Sequence, residues 1–426
     1  MSVSAPRTIQ GSLPTAPRTA TEARNAVRSL VHGTPGRMRL LGAVAVIVAL
    51  VLGAVCAQAL IGSRAAADRA ATNIAQVVRA QTMQVDLLRA DALATNAFLV
   101  GGLEPTEQRA EYNRAMTSVA QGITQAAAAQ PADADALAAL AVKVQSYATL
   151  VEQARSNNRL GLPVGATYLT QASAGLRSDA IPILDAIVKS NEGRAQAEFD
   201  RADSSGLLLV GVGSVLVLLG IAVWLARRTH RYLNAPLSVA IVLLALALVV
   251  ALSTIGTVAA TATAVRTNQY QDTVLLAKVS TAANDARANE SLTLVKQGSG
   301  GSYEKAWQQN ATTVEKALTG YSTALLKQWQ AYVGGHQQIR KLDDGGSWDG
   351  AVALATDPKA TAPSARFAEF DKAVAAARDE ASQTAIQRID GLGGAAPAYA
   401  AGIALLSLIA CWLVIRGMGK RIEEYR

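Results

Sequence analysis

The sequence predicts an all-α membrane protein: four transmembrane helices with two tandem extracytoplasmic four-helix bundles. Three observations predict it. Uncharged apolar spans lie at 40–61, 206–226, 237–257 and 398–415, each near the roughly 20 residues a helix needs to cross a bilayer core. Two long stretches, 62–205 and 258–397, separate the first span from the second and the third from the fourth, so one half of the chain repeats the plan of the other. Half of the residues are apolar but only 4% are aromatic. Alanine, the best helix former, supplies much of the apolar content, so the long stretches read as helical.

Orientation follows from charge. The tail 1–39 holds six Arg against one Glu, the link 227–236 holds Arg227, Arg228 and Arg231 with no acid, and the end 416–426 holds four bases against two acids. These short segments sum to +10 while the chain is +8, which leaves the two large domains slightly acidic. Lysine and arginine beside spans mark the cytoplasmic side. Both termini and the link are therefore placed inside the cell membrane and both domains outside, in a multi-pass protein. On this reading the basic balance is a topology signal, with the lipid bilayer as partner and no nucleic acid. The first span follows a long basic tail and ends at no small-x-small site, so it reads as an anchor and not as a cleaved signal peptide. Cys56 and Cys411 both fall inside spans, at depths that differ by roughly 15 Å at 1.5 Å per residue, so no disulfide is expected to brace the domains.

The first domain reads as four helices. The first runs out of the membrane from Ser63 to Val100, with Ile74, Val78, Gln81, Val85, Leu88, Ala92, Thr95 and Leu99 at the alternating four-and-three steps of a bundle seam. Gly101-Gly102 ends it. The second follows Glu104-Pro105-Thr106 and stops near Gln130, and the third spans about Ala134–Asn158. After Gly161-Leu162-Pro163 the fourth runs from Val164 to Asp203. The second domain follows the same script: a long helix to Gly298-Ser299-Gly300-Gly301, helices at about Ser302–Leu318 and Ser322–Leu342, a loose stretch through Gly345-Gly346, Gly350 and Asp357-Pro358, and a last helix at Pro363–Asp390. Local echoes support duplication. Ala90-Asp91-Ala92 matches Asn284-Asp285-Ala286, Gly165-Ala166 with Leu169 matches Gly350-Ala351 with Leu354, and Leu184-Asp185 matches Phe370-Asp371.

No Asp, Glu, Lys, Arg, His or Pro lies inside a span. Carriers need polar groups or broken helices at the midplane, so a secondary transporter is not expected. His32, His230 and His336 are the only histidines. No metal cluster, phosphate loop or nucleophile elbow can be assembled from the sequence, so no enzyme, no cofactor and no metal is expected. His336 reads as a solvated loop residue. Arg79 and Arg89 read as a solvated helix face, with carboxylate binding as the alternative. Trp307 and Trp329 are expected in the bundle core, and Trp348, in an Asp/Gly-rich loop, on the surface.

The turns placed farthest from the membrane offer candidate partner-binding residues: Asn157, Asn158 and Arg159 in the first domain, Trp348 and Asp349 in the second. On the inner face Arg227, Arg228, Arg231, Lys420 and Arg421 are candidates for cytoplasmic docking. The tail repeats Ala-Pro-Arg-Thr at 5–8 and 16–19. It reads as a disordered basic segment attracted to anionic lipid, with kinase docking as the alternative.

A helical bundle whose first and last helices continue into spans resembles the sensor domains of bacterial chemoreceptors and histidine kinases. The segment Ala166-Thr167-Tyr168-Leu169-Thr170-Gln171-Ala172-Ser173, with Ile183-Leu184-Asp185-Ala186-Ile187 and Asn191, resembles the last helix of such domains. Two of them in tandem resemble the actinobacterial GlnX-type membrane sensor, and the Ala/Arg-rich composition suits such an organism. The resemblance implies a protein that couples an extracytoplasmic glutamate/aspartate-binding lipoprotein to a soluble cytoplasmic serine/threonine kinase of the PknG type. It implies no catalytic or ligand residue. The expected function is thus a transmembrane sensor or relay for a nutrient signal. The alternative is a structural or accessory subunit of a transporter or cell-envelope complex. Both leave a homo-oligomer open.

Overall fold

The computed structural model describes residues 34–101, 104–201, 205–229, 234–267, 269–390 and 396–423. The doubled Ala-Pro-Arg-Thr tail, His230 and Arg231 lie outside the described residues. Among the described residues all regular structure is helical. The helices are α1 (Thr34–Val100), α2 (Thr106–Ala129), α3 (Ala134–Arg159), α4 (Val164–Gly175), α5 (Ile181–Arg201), α6 (Ser205–Thr229), α7 (Ala235–Thr267), α8 (Gln269–Val295), α9 (Gly301–Leu318), α10 (Thr323–Asp344), α11 (Trp348–Ala355), α12 (Pro363–Asp390) and α13 (Ala396–Glu423). Four of them, α1, α6, α7 and α13, are long and apolar enough to cross a membrane. The chain divides into two compact units: Met1–Ile61 with Ser204–Ile255 and Ala395–Arg426, and Gly62–Asp203 with Gly256–Gly394.

The apolar unit is packed through small residues. A Cβ added to Gly53 would sit 2.3 Å from the Ser407 Cβ, so α1 and α13 touch where glycine lets the backbones approach. Ser407 Oγ donates to Ala49 O at 2.8 Å across the same contact. Near the link, Asn234 Nδ2 donates to Gly417 O at 3.2 Å. Leu52, Leu60, Leu218, Leu244 and Val414 fill the interior, whereas Leu209, Leu216, Val242 and Leu408 are exposed. An outward apolar surface is what a bilayer accepts and water does not. Cys56 and Cys411 are free and buried. Cys411 Sγ lies 3.8 Å from Val46 O, ten residues along α1 from Cys56, which is about 15 Å of helix.

The second unit holds both predicted domains. In the first, α2, α3 and the α4–α5 rod pack on the second half of α1 around Leu87, Val119, Leu137, Leu140, Tyr147, Leu169 and Leu184. The α4–α5 rod is one path with a π turn, Leu176–Ala180, at its middle. Pro182 lies two residues on, after Ile181. It lacks an N–H and its ring crowds the carbonyl four residues back, and a wider turn there relieves both. At one end of this bundle Asp133 is buried and accepts from Gln76 Nε2 at 3.1 Å, Asn191 Nδ2 at 2.7 Å and Arg194.

In the second domain α9, α10 and α12 pack on α8 around an aromatic core. Trp329 lies 5.1 Å from both Tyr332 and Phe370, centroid to centroid. The stretch expected to be loose contains α11, seated against α8 and α10 through Ala351 and Ala355. Gly345, Gly346, Gly350 and Pro358 hid this short helix, although the Gly350-Ala351 echo of Gly165-Ala166 marked its place. Gly101 and Gly298, at φ of 68° and 81°, come just after the matching helices α1 and α8, where the left-handed conformation suits glycine.

Candidate functional site: the interface between the two bundles

The two domains share more than a boundary. Leu292 of α8 is fully buried in the core of the first bundle, and Leu99 of α1 packs beside Trp348 and Ile339 of the second. Two ionic ties span the interface. From the π turn, Arg177 Nη1 donates to Asp91 Oδ2 at 2.9 Å in its own bundle, while Nε donates to Asp285 Oδ1 at 2.7 Å in the other. From α1, Arg89 Nη2 donates to Asp371 Oδ2 at 2.6 Å on α12, whose other oxygen accepts from Asn284 Nδ2 at 3.0 Å. The first tie joins the last helical rod of one bundle to the first helix of the other, and the second tie reverses that order.

The residues reach these positions for local reasons. Asp91 follows Ala90 and Leu87 on the buried side of α1, so its carboxylate is fully enclosed. It survives there because Ser173 Oγ, at 2.6 Å, and Arg177 satisfy its oxygens. Burial still pushes the Asp91 carboxyl above its usual range, against the pull of Arg177. Burial draws the Arg177 guanidinium down, but the carboxylates of Asp91 and Asp285 outweigh it and hold the group above its ordinary value. Arg89 is balanced in the same way by Asp371 and Asp86. Its neighbour Asp86, bonded to Ser118 Oγ at 2.6 Å, is pushed up by burial.

A third polar cluster lies inside the second domain. His336 is buried on α10 with its ring 3.5 Å from that of Trp307 and nearly parallel to it. Nδ1 meets Glu290 Oε2 at 2.8 Å and Nε2 meets Glu304 Oε2 at 3.3 Å. Two carboxylates facing two ring nitrogens suit the doubly protonated imidazolium. Burial lowers the His336 pKa, but hydrogen bonds to Glu290 and Glu304 raise it more, to above its ordinary value. Burial raises Glu290, yet Arg287 and His336 hold it below the usual carboxylate range. Tyr332 Oη completes the cluster, donating to Glu290 Oε2 at 3.2 Å. The expectation of a solvated His336 is therefore corrected. Leu325, Trp329, Tyr332, His336 and Ile339 lie along one four-and-three seam on α10, and that spacing was the signal.

Arg89 likewise departs from a solvated face because Asp371 of the other bundle covers it. Arg79 is half-buried, with Nη1 donating to Gln76 Oε1 at 3.3 Å. Trp307 and Trp329 are core residues, as expected. Trp348 is half-buried, and its Nε1 donates to Leu294 O at 2.9 Å, so it closes a helix junction and is less free for a partner than its sequence context suggested. Asp349 is exposed.

Of the other candidates, Asn157 and Asn158 spend their amides on Gln153 O and Phe98 O at 2.8 and 2.9 Å. Asn158 and the exposed Arg159 line a cavity of about 340 Å³ with Arg155 and Glu104. Arg227, Arg228 and Lys420 are exposed at the ends of α6 and α13, and the backbone of Arg421 is helical. Among the described residues no group of three or more His, Cys, Asp or Glu is placed to hold a metal ion.

Comparison with known families matches residues 66–200, the second half of α1 through α5, to the actinobacterial sensor domain. No curated protein and no solved structure is similar to the chain.

Proposed function

Starting from a helical membrane protein whose first bundle is similar to an actinobacterial sensor domain, we propose that the chain is a relay for an extracytoplasmic amino-acid signal. A solute-binding lipoprotein docks on the bundle unit, and a separate cytoplasmic serine/threonine kinase reads the basic segments flanking the spans, Arg227-Arg228 and Lys420 among them. The chain itself carries no catalysis in this reading. The observation that supports it best is the pair of reciprocal ties, Arg177 to Asp285 and Arg89 to Asp371. They make the fit of one bundle against the other depend on two specific ion pairs, and repacking of such interface salt bridges is one way a switching element works. The helix α1 contributes to both units without interruption, so a change in bundle fit has a stiff path along which to act.

Deleting the gene tests the reading. An amino-acid-dependent phosphorylation response should be lost while amino-acid uptake continues. Loss of uptake with phosphorylation intact would favour the transporter-accessory alternative. If neither changes, the relay is wrong.

A further inference from the structure

Where α3 turns into α4, the first bundle presents apolar side chains to solvent. Arg159-Leu160-Gly161-Leu162-Pro163-Val164 are all exposed. Among the described residues the bundle unit exposes six large apolar side chains, and Leu160, Leu162 and Val164 supply three of them. A single exposed aliphatic is ordinary, but three in one turn mark a contact surface.

The turn itself is rigid. Leu162 N donates to Asn157 O at 2.9 Å and Gly161 N to Asn158 O at 3.0 Å, with Gly161 at a φ of 67°. In this helix ending the residue at the place of Leu162 commonly packs back on the one at the place of Asn157. Asn157 is polar and its amide is spent on Gln153 O, so the helix offers Leu162 no apolar seat there. The second bundle builds the same turn with other residues. Ser347 N donates to Leu342 O at 2.9 Å and Gly346 N to Asp343 O at 3.0 Å, with Gly346 at 82°. Gly345 and Ser347 stand there in place of Leu160 and Leu162, and Asp344 in place of Arg159. The geometry of the turn therefore does not require the leucines.

The surrounding charges say what covers them. Arg109 and Arg155 each pair with both Glu104 and Glu152 in a closed ring, which leaves Arg159 as the unpaired charge of this turn among the described residues. Asn158 Nδ2 donates to Phe98 O, and the next residue, Leu99, packs beside Trp348. The two turns thus flank the end of α1, with Arg159 exposed on one and Asp344 and Asp349 exposed on the other. An anionic lipid surface favours cations alone, whereas exposed charges of both signs suit a protein.

We propose that Leu160, Leu162 and Val164 form a docking knob for a separate folded protein, which receives them in an apolar recess edged by a carboxylate opposite Arg159. The locked backbone lowers the ordering cost of such a contact. This deepens the relay reading and rests on it for the existence of an extracytoplasmic partner.

A photoreactive benzophenone amino acid should replace Leu160, Leu162 or, as control, Val142 in the full chain in living cells. Val142 is equally exposed but lies 18 residues earlier, about 27 Å along α3. Positions 160 and 162 should give an adduct with one extracytoplasmic protein, through an apolar peptide containing Asp or Glu, and position 142 should not. With that protein and the full chain purified, Leu162→Ser and Arg159→Asp should each weaken binding at least tenfold, and Val142→Ser should not. Changing the partner's carboxylate to Arg should restore binding to Arg159→Asp. The melting temperature of the chain alone should stay unchanged in all three variants, which a merely structural role for the leucines would not allow. Adducts with a second copy of this chain, with lipid or with nothing would overturn the knob, as would undiminished affinity in Leu162→Ser. Failure of the knob beside a phosphorylation response that still depends on the gene leaves the relay standing. A partner bound at Leu162 without any such response removes the relay and keeps the knob.

Discussion

Arg177 and Asp285, 108 residues apart in sequence, meet at 2.7 Å, and the same guanidinium closes on Asp91 at 2.9 Å. Asp91 and Asp285 are the positions that the Ala-Asp-Ala and Asn-Asp-Ala echo pairs, so the two echoed carboxylates share one cation. Arg177→Ala leaves Asp91 enclosed without its counter-charge and should cost on the order of 3 kcal/mol. Thermal melts of the full chain would show it. A double-mutant cycle with Asp285→Asn should give a coupling energy clearly different from zero, because the two groups are in contact. Strict additivity would contradict the tie.

The pH dependence of the second bundle has two limbs. His336 is raised above 6.5, so its stabilisation is complete below that value and is lost as pH rises through the folded pKa. Glu290 is held below 4.5, so its contribution is complete above that value and is lost as pH falls through the folded pKa. Stability should therefore be greatest in the mildly acidic range between them. His336→Gln should flatten the alkaline limb, and Trp307 fluorescence, from the ring stacked on His336, should report the loss of the imidazolium.

Packing in the apolar unit makes a sharper steric prediction. Gly53→Leu forces a side chain into Ser407, whereas Gly62→Ala meets nothing within 4 Å. The first should lower the melting temperature in detergent by several degrees, as expected for about 1–3 kcal/mol of overpacking, and the second should raise it slightly, since alanine in a helix interior is favoured over glycine by about 0.5–1 kcal/mol. Equal effects would mean that α1 and α13 do not approach at Gly53.

Topology is open to direct labelling. Cysteines placed at Arg227 and Lys420 should resist a membrane-impermeant thiol reagent in intact cells, while those at Arg159 and Gly346 should react. All four positions lie in described segments away from the natural Cys56 and Cys411. Labelling at Arg227 from outside would invert the arrangement.

The spans, the first bundle and its turns were legible because their signals are local: apolar length, seam spacing, and Gly or Pro at the breaks. The helix predicted to begin at Val164 does begin there, and only its π turn before Pro182 went unread. Arg89, which joins the bundles, and His336, inside the second, were misread for one reason. Both look solvated whenever their neighbours in space are unknown, and each is covered by an element far away in sequence. The seam on α10 carried His336 among Trp329, Tyr332 and Ile339, but a histidine at a core step signals burial only once a partner such as Glu290 is found for it. Trp348 was misread in the same direction, because Asp and Gly around it suggested an open loop where α11 begins.

The reciprocal ties join parts of one polypeptide. A receptor assembled from two identical chains comes apart on dilution, and its melting temperature depends on protein concentration. Here a covalent tether holds the halves together, so the melting of the paired bundles should be the same in dilute and concentrated samples. A single chain is also released from the demand that both sides of the interface be alike. Arg177 serves two carboxylates at one tie, while Arg89 and Asn284 divide a single one at the other. Each copy of the protein therefore offers one interface with two chemically different ends, and signal strength would scale with the number of chains in the membrane and not with its square.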